Sequence, residues 1–231
     1  MLVSFEGQDG AGKTAVLMAV HEALARQGIA SVVIEEFSDS QYGQPLIEAV
    51  ARDKFLRPLP DGTATYLTRA LEEVIDLYYL DERVIGPALA AGQVMLKDRH
   101  YDTALYTLVP TLVGSGTVAD DETALVWLRQ TLALLGHLPD LAVYVDAPLD
   151  VRVRRIEQRS RALIEANVKQ VSAADLRVFA RREAVARQVI AEGRQLFYVL
   201  DNGTRSIEEG AHEVTTVIQD RLSRTAGNGG S

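Results

Sequence analysis

The residues with the clearest chemical meaning form a glycine-rich stretch near the start of the chain. Gly7-Gln-Asp-Gly-Ala-Gly-Lys-Thr14 has the spacing G-x-x-x-x-G-K-T, with a strand pattern before it and an amphipathic helix pattern after it. In such a loop the backbone N–H groups point at phosphate oxygens, Lys13 bridges the β- and γ-phosphates, and the Thr14 hydroxyl binds Mg²⁺. The motif therefore predicts an ATP and Mg²⁺ site made by Gly7, Asp9, Gly10, Ala11, Gly12, Lys13 and Thr14. A chance glycine turn is the alternative interpretation.

A second polar pair ends another hydrophobic run. Asp98 and Arg99 follow Gln93–Lys97, which has the composition of a buried strand. A carboxylate beside the phosphate loop could bind the metal or orient an acceptor phosphate, although a helix N-cap would also explain Asp98. Arg99 could clamp a phosphate bidentately, with a surface ion pair as the alternative.

The elements that must position these residues alternate between strands and helices. Amphipathic helical patterns separate the apolar runs, which predicts βαβ units and an α/β fold. We expect a three-layer sandwich of the P-loop kinase type, with a parallel sheet of about five strands between helices. The predicted strands are Leu2–Glu6, Ser31–Glu36, Gln93–Lys97, Leu141–Asp146 and Leu196–Leu200. The predicted helices include Thr14–Gln27, Asp175–Glu192 and Ile207–Leu222.

The remaining segments have less regular patterns. Asp39–Thr65 predicts a broken helix and a loop, and the arginine-rich stretch 152–170 predicts a helix that continues into a lid. Residues 225–231 predict a disordered tail, because they are small, polar and rich in glycine. One domain over residues 1–224 is therefore expected.

Composition excludes several classes of function. The formal net charge is −8, which argues against binding a nucleic acid polymer or an anionic membrane. The chain has no cysteine, so disulfides, thiolate nucleophiles and cysteine-bound metals are excluded. No apolar run reaches the length of a membrane span, and the first residues predict a strand rather than a signal peptide. We therefore expect a cytoplasmic protein.

Four stretches together resemble the thymidylate kinase family. Phe5–Thr14 matches its F-E-G-x-D-G-x-G-K-T start, and Gly86–Arg99 matches P-A-L-x-x-G-x-x-V-I-x-D-R-Y. Leu138–Asp146 and Asp175–Glu183 are similar to the fourth strand and to the helix after the lid. The resemblance implies ATP-dependent phosphoryl transfer to a nucleoside 5′-monophosphate, and it also implies a homodimer.

The resemblance also implies roles for individual residues. It places Asp9 near the acceptor sugar and the metal, and it carries an acceptor-site glutamate onto Glu36. It assigns Arg155 and Arg159 as the catalytic arginines of the lid, because Ala11 leaves the loop without one. Further positions that it implicates are Thr103 and Thr107 in the acceptor site and Asn202 in the loop that cradles adenine in this fold.

Three positions depart from the family pattern. The family arginine that binds the acceptor phosphate is replaced by Glu35, and its base-contacting arginine falls at Leu77, with Arg69 and Arg83 as possible substitutes. The tyrosine that crowds the sugar 2′ position falls at Thr107, with Tyr106 one residue earlier. We therefore expect an acceptor that need not be thymidylate.

Two other functions stay open at this point. A nucleoside kinase would share the sheet, the phosphate loop and the Asp98–Arg99 pair, and it would not need an arginine at Glu35. A regulator that binds ATP without turnover is the other alternative. Against that reading, Lys13, Thr14, Asp98 and Arg99 are all present.

Overall fold

The fold is taken from a computed structural model, which describes residues 1–53, 55–58, 64–163 and 171–228. The side chains of residues 159–163 and 225–228 are outside this description. Arg159, one of the predicted lid arginines, is therefore placed only as a backbone position, and the predicted lid residues 164–170 lie outside the described residues.

The core of the fold is a five-stranded parallel sheet with helices on both faces. The strand order is β2-β3-β1-β4-β5, so β1 lies in the centre between β3 and β4. The strands are β1 (Leu2–Glu6), β2 (Ser31–Ile34), β3 (Val94–Asp98), β4 (Leu141–Asp146) and β5 (Phe197–Asp201). β1 is buried along its whole length, as expected for a parallel strand covered on both faces.

Nine α-helices connect the strands in the described part of the chain, and a π-helical turn, Asp81–Ile85, joins two of them. They are α1 (Lys13–Arg26), α2 (Gln44–Arg52), α3 (Tyr66–Leu80), α4 (Gly86–Ala90), α5 (Tyr101–Gly114), α6 (Asp121–Thr131), α7 (Leu149–Leu163), α8 (Ala173–Ala191) and α9 (Ile207–Asn228). The α/β prediction is confirmed. None of these helices is long and apolar enough to span a membrane, within the residues described.

Several predicted boundaries shift. β2 ends at Ile34 rather than at Glu36, and β3 and β5 each begin and end one residue later than predicted. α9 continues to Asn228, so a helix covers the first four residues of the segment predicted as a disordered tail, and residues 229–231 lie outside the described residues. The helical hydrogen-bond ladder continues through Thr225 and Ala226 even though the sequence there is polar and small.

The apolar stretch Ala124–Leu135 does not form a free face. Ala124, Leu125, Leu128 and Leu132 are buried in a core cluster with α3, α5 and α8. Burial within the subunit therefore accounts for these four residues, whereas Val126 and Leu134 of the same stretch are exposed.

Candidate active site

One large cavity opens at the carboxyl ends of the central strands. Its volume is about 610 Å³, and its wall combines the phosphate loop with residues from α2, α3, α5, α7 and α8. Ligands of open α/β sheets bind in this position, beyond the carboxyl ends of the strands. The sequence-predicted residues in the wall are Asp9, Gly10, Gly12, Lys13, Thr14, Glu36, Asp98, Arg99, Thr107 and Arg155.

The glycines are required by the shape of the phosphate loop. Gly7, Gly10 and Gly12 all have positive φ, at 131°, 79° and 96°. A Cβ on Gly10 would lie 2.5 Å from the carbonyl oxygen of Arg152, and one on Gly12 would lie 2.5 Å from the side-chain nitrogen of Asn202. No L side chain fits either position without displacing the backbone or Asn202. The loop can therefore curl only with glycine at these points.

Lys13, Thr14 and Asp98 converge at the mouth of the loop. Lys13 is buried, and burial lowers its pKa, as does the nearby charge of Arg99. The Thr14 hydroxyl donates to Asp98 Oδ2 over 2.6 Å. The other oxygen, Asp98 Oδ1, is buried and has no hydrogen-bond partner among the described residues. Asp98 therefore reaches across to α1 rather than capping α5, which removes the N-cap alternative.

A network of paired charges lies beside the loop. Arg99 bonds to Asp9 and places its Nε 3.1 Å from a Glu36 oxygen. Burial alone would lower the pKa of Arg99, but Glu36 and Asp9 outweigh it and raise the pKa well above its ordinary value. Burial raises the pKa of Glu36, with Arg99 opposing the shift. Arg99 thus stays charged and is held in place by two carboxylates.

Two residues that the sequence predicts to bind ligands stabilise the phosphate loop itself. Asn202 is completely buried, and its amide donates to the Ala11 carbonyl over 2.6 Å. Ala11 is also buried, and its N–H bonds to the Gln8 carbonyl. Neither side chain is part of the cavity wall described above. Both residues thus fix the loop, and the assignments of Asn202 to adenine and of Ala11 to phosphate stay predictions.

Gly7 and Thr103 also belong to the support rather than to the wall. The Gly7 N–H donates to the Tyr106 hydroxyl over 2.9 Å, so this backbone donor already has a hydrogen-bond acceptor within the protein. The Thr103 hydroxyl donates to Glu6 and lies 2.7 Å from the Tyr106 hydroxyl. Thr103 therefore holds β1 and the loop together; it also lines the small recess beside Arg99, and its contact with the acceptor stays a prediction.

Arg155 reaches the loop from α7. Its two terminal nitrogens donate to the carbonyl oxygens of Ala11 and Asn202 over 3.1 and 2.9 Å. It also lines the cavity, next to Gly12. The side chain that the resemblance assigned to the lid is thus already docked on the phosphate loop.

The positions that depart from the family pattern have three different environments. Glu35 is exposed and is not among the residues of the cavity wall, so its carboxylate does not face the site. Leu77 is buried beside a small recess that also touches Glu73 and Arg99. Thr107 lines the cavity, whereas Tyr106 points under the phosphate loop.

Sequence reasoning missed two charged residues of the wall, Arg182 and Glu73, and named a third, Arg69, only as a possible substitute for the base-contacting arginine. Arg182 of α8 and Glu73 of α3 are both buried and line the cavity, and Arg69 joins them from α3. Arg182 places its Nη1 4.0 Å from Asp9 Oδ2, and its guanidinium lies over the Phe55 ring. The only sequence signal was indirect: Arg182 falls within the stretch that resembles the helix after the lid, and Arg69 stood near the missing base contact.

A buried lysine organises the turn after β2. Lys97 is completely buried, and its Nζ donates to the backbone carbonyls of Glu36 and Asp98 over 2.8 and 3.2 Å, and also to that of Glu35. Burial lowers the pKa of Lys97 to about 8. This lysine fixes the backbone from which Glu36 and Asp98 enter the site.

Comparison with known proteins shows that the chain is similar to thymidylate kinases. The sequence model of thymidylate kinases matches residues 5–214. A thymidylate kinase of Limosilactobacillus fermentum is 32% identical over 161 residues, which is 68% of this chain and 67% of the relative. One of Bacillus pumilus is 26% identical over 225 residues, 97% of each chain, and one of Leuconostoc citreum is 32% identical over 171 residues, covering 71% of this chain and 72% of the relative.

Proposed function

The chain belongs to the thymidylate kinase family and is thus a nucleoside monophosphate kinase, and we propose that it uses ATP and Mg²⁺ to phosphorylate a nucleotide other than thymidylate. The observation that carries this proposal is the single cavity of about 610 Å³ that joins the phosphate loop to Arg99 and Arg182. A phosphoryl transfer needs donor and acceptor in line and shielded from water, and one continuous cavity can supply both conditions.

The donor end is the phosphate loop. Gly10, Gly12, Lys13 and Thr14 line the cavity there, and Arg155 adds a guanidinium at the same edge. Lys13 stands among Asp9, Asp98 and Glu36, which favour its charged form against burial. We assign this end to the triphosphate of ATP, with Arg155 and Arg159 as the lid arginines that stabilise charge on the transferring group.

The residues present fit a magnesium ion. Thr14 and Asp98 offer hard oxygen ligands, and Asp98 Oδ1 lacks a hydrogen-bond partner in the described structure, as an oxygen reserved for a metal or its water would. When bound, the metal would neutralise phosphate charge. Thr14 and Asp98 orient each other by their hydrogen bond, which keeps both oxygens at the mouth of the loop.

The acceptor end holds a group of arginines despite the negative net charge of the chain. Over the whole cavity wall, Lys13, Arg69, Arg99, Arg155 and Arg182 outnumber Asp9, Glu36, Glu73 and Asp98 by one, and the acceptor end itself holds three arginines beside Asp9, Glu36 and Glu73. Arg99 and Arg182 are buried at that end and converge on Asp9. Buried guanidinium groups bind phosphate strongly, so Arg99 and Arg182 can take the place of the family arginine that is replaced here by Glu35.

The acceptor base and sugar are the finer part of the proposal. Leu77 offers no hydrogen bond to a base, and Thr107 leaves more room beside the sugar than a tyrosine would. An ADP-release assay with dTMP, dUMP, UMP, CMP and dCMP, and with the corresponding nucleosides, tests this part. We expect the best acceptor to be a monophosphate other than dTMP. Activity confined to dTMP would refute it, and activity confined to nucleosides would point to a nucleoside kinase.

Arg99→Ala is expected to weaken the acceptor more than ATP. Losing a charge-assisted contact to phosphate costs about 1.5–3 kcal/mol, so KM for the acceptor should rise roughly 10–150-fold. Initial rates measured against each substrate separate the two effects, with the exposed Arg26→Ala as a matched control. An increase of KM for ATP that equals or exceeds the effect on the acceptor would assign Arg99 to the donor end.

Assembly and location complete the proposal. The family suggests a homodimer that acts on small nucleotides in the cytoplasm, without a nucleic acid polymer or a membrane as partner. Light scattering in solution would test the dimer directly, and a monomer at micromolar concentration would contradict it.

A further inference from the structure

Glu73 is a buried carboxyl group that faces the cavity and has no hydrogen bond or ion pair within the described part of the chain. It lies on α3, is 7% exposed, and lines both the main cavity and the small recess beside Leu77 and Arg99. The described residues provide it with no hydrogen bond and no ion pair, although its neighbours are bonded: Asp76 binds Ser38, and Glu36 binds Arg99. A largely buried polar group costs free energy unless it is satisfied, so the Glu73 carboxyl group is available to a polar group of a ligand that enters the cavity.

The charges around Glu73 favour its protonated form. Burial raises the pKa of Glu73 to about 8, and the carboxylates of Glu36 and Asp76 act in the same direction. The guanidinium groups of Arg182 and Arg99 oppose the shift. Below about pH 8 the group therefore offers one O–H donor and one carbonyl acceptor to the cavity.

The helix opposite contributes acceptors. Thr107 and Thr111 both line the cavity, and each hydroxyl donates its proton to a backbone carbonyl over 2.7 Å. Only their lone pairs remain available to a ligand. Phe55, Tyr66 and Leu108 supply apolar surface to the same wall, which suits the faces of a planar ring.

We propose that Glu73 determines base specificity and selects an acceptor whose base carries an amino group beside an unprotonated ring nitrogen, as cytosine does. The Glu73 O–H would donate to the ring nitrogen and its carbonyl would accept from the amino group. Uracil and thymine present a keto oxygen beside an N–H instead. Their keto oxygen is a weaker base than the ring nitrogen of cytosine, so it accepts the O–H less well. Uracil and thymine also have no amino group that could donate to the hydroxyl oxygens of Thr107 and Thr111. This inference rests on the proposed function and specifies its acceptor.

The first test compares wild-type kcat/KM for CMP and dCMP with that for UMP, dUMP and dTMP at pH 7. The stronger hydrogen bond to the cytosine ring nitrogen is worth roughly 2–10-fold in kcat/KM, so we expect the cytosine nucleotides to lead by a factor in that range. Uracil or thymine nucleotides that perform equally well or better would overturn the inference.

The second test uses two substitutions and a pH profile. The wild type should show a rise in KM for cytosine nucleotides above about pH 8. Glu73→Gln keeps an N–H donor and a carbonyl acceptor at every pH, so it should keep these nucleotides as substrates and abolish that rise. Glu73→Leu should raise their KM about tenfold or more and leave KM for ATP unchanged. The exposed Glu48→Gln on α2 is the matched control. A Leu variant or a pH profile indistinguishable from wild type and control would overturn the role of Glu73.

Equilibrium binding separates this inference from the function on which it rests. Calorimetric titration of wild type with CMP and UMP needs no phosphoryl transfer. If no acceptor is phosphorylated, the proposed function fails, while tighter binding of CMP than of UMP would still support Glu73 as the base-reading group. Equal binding of the two would refute that assignment even in an active kinase.

Discussion

Replacing Lys13 with alanine is expected to lower kcat by about 10²–10³-fold, the loss that follows removal of one preorganised donor from a transition state. Lys13 is buried at the mouth of the phosphate loop, between Asp9, Asp98 and Glu36. Its ammonium group is the cation placed to meet charge that develops between the β- and γ-phosphates. Steady-state rates with saturating ATP and acceptor measure the effect.

The fold should survive this substitution. Lys13 belongs to the first turn of α1, and its Nζ makes one long contact of 3.5 Å with the Gln8 carbonyl. The core of α1 instead packs through Val16, Leu17, Val20 and Leu24. We therefore expect thermal unfolding close to that of wild type, with Arg26→Ala as the surface control. A Lys13→Ala enzyme that keeps its turnover would show that the loop does not act on the transferring phosphate.

Asp98→Asn is expected to lower kcat by about 10²-fold or more, because it removes one charged metal ligand while keeping the shape of the side chain. Asparagine can still accept the 2.6 Å hydrogen bond from Thr14, so the end of β3 should not move. The variant should also need a higher Mg²⁺ concentration for half-maximal rate. Titration of initial rates with Mg²⁺ measures both effects.

The matched control for this variant is Asp150→Asn. Asp150 is an exposed carboxylate that pairs with Arg154 on α7, outside the cavity wall. The Asp150→Asn variant should have the same kcat and the same dependence on Mg²⁺ concentration as the wild type. A normal rate for Asp98→Asn would show that Asp98 only connects β3 to α1 and takes no part in catalysis.

The sequence predicted the parts of the fold that have a local signature. Continuous apolar runs marked the strands within one or two residues, since a parallel strand covered on both faces tolerates little polarity. Gly7, Gly10 and Gly12 marked the loop because a positive φ at closely spaced positions leaves few other residue types. These features depend on neighbours in the chain, which is why periodicity and spacing were sufficient.

The acceptor end could not be predicted in this way. Arg69 and Glu73 lie on α3, whereas Arg182 lies on α8, more than a hundred residues further along the chain. Only the folded chain brings the three side chains to one wall. Residue type also failed to distinguish lining from support: Thr103 and Asn202 are polar and close to the site, yet both bond to the framework of the loop. Whether a carboxylate faces the cavity likewise depended on backbone direction, which turns Glu36 inward and leaves Glu35 exposed.

The central claim is that the cavity transfers the terminal phosphoryl group of ATP to a nucleoside monophosphate. The most direct measurement is a ³¹P NMR time course of the enzyme with ATP, Mg²⁺ and an equimolar mixture of CMP, UMP and dTMP. We predict that ADP and a nucleoside diphosphate appear in equal amounts and that inorganic phosphate stays at the level of the enzyme-free control. Unchanged ATP, or ADP accompanied only by inorganic phosphate, would contradict the account.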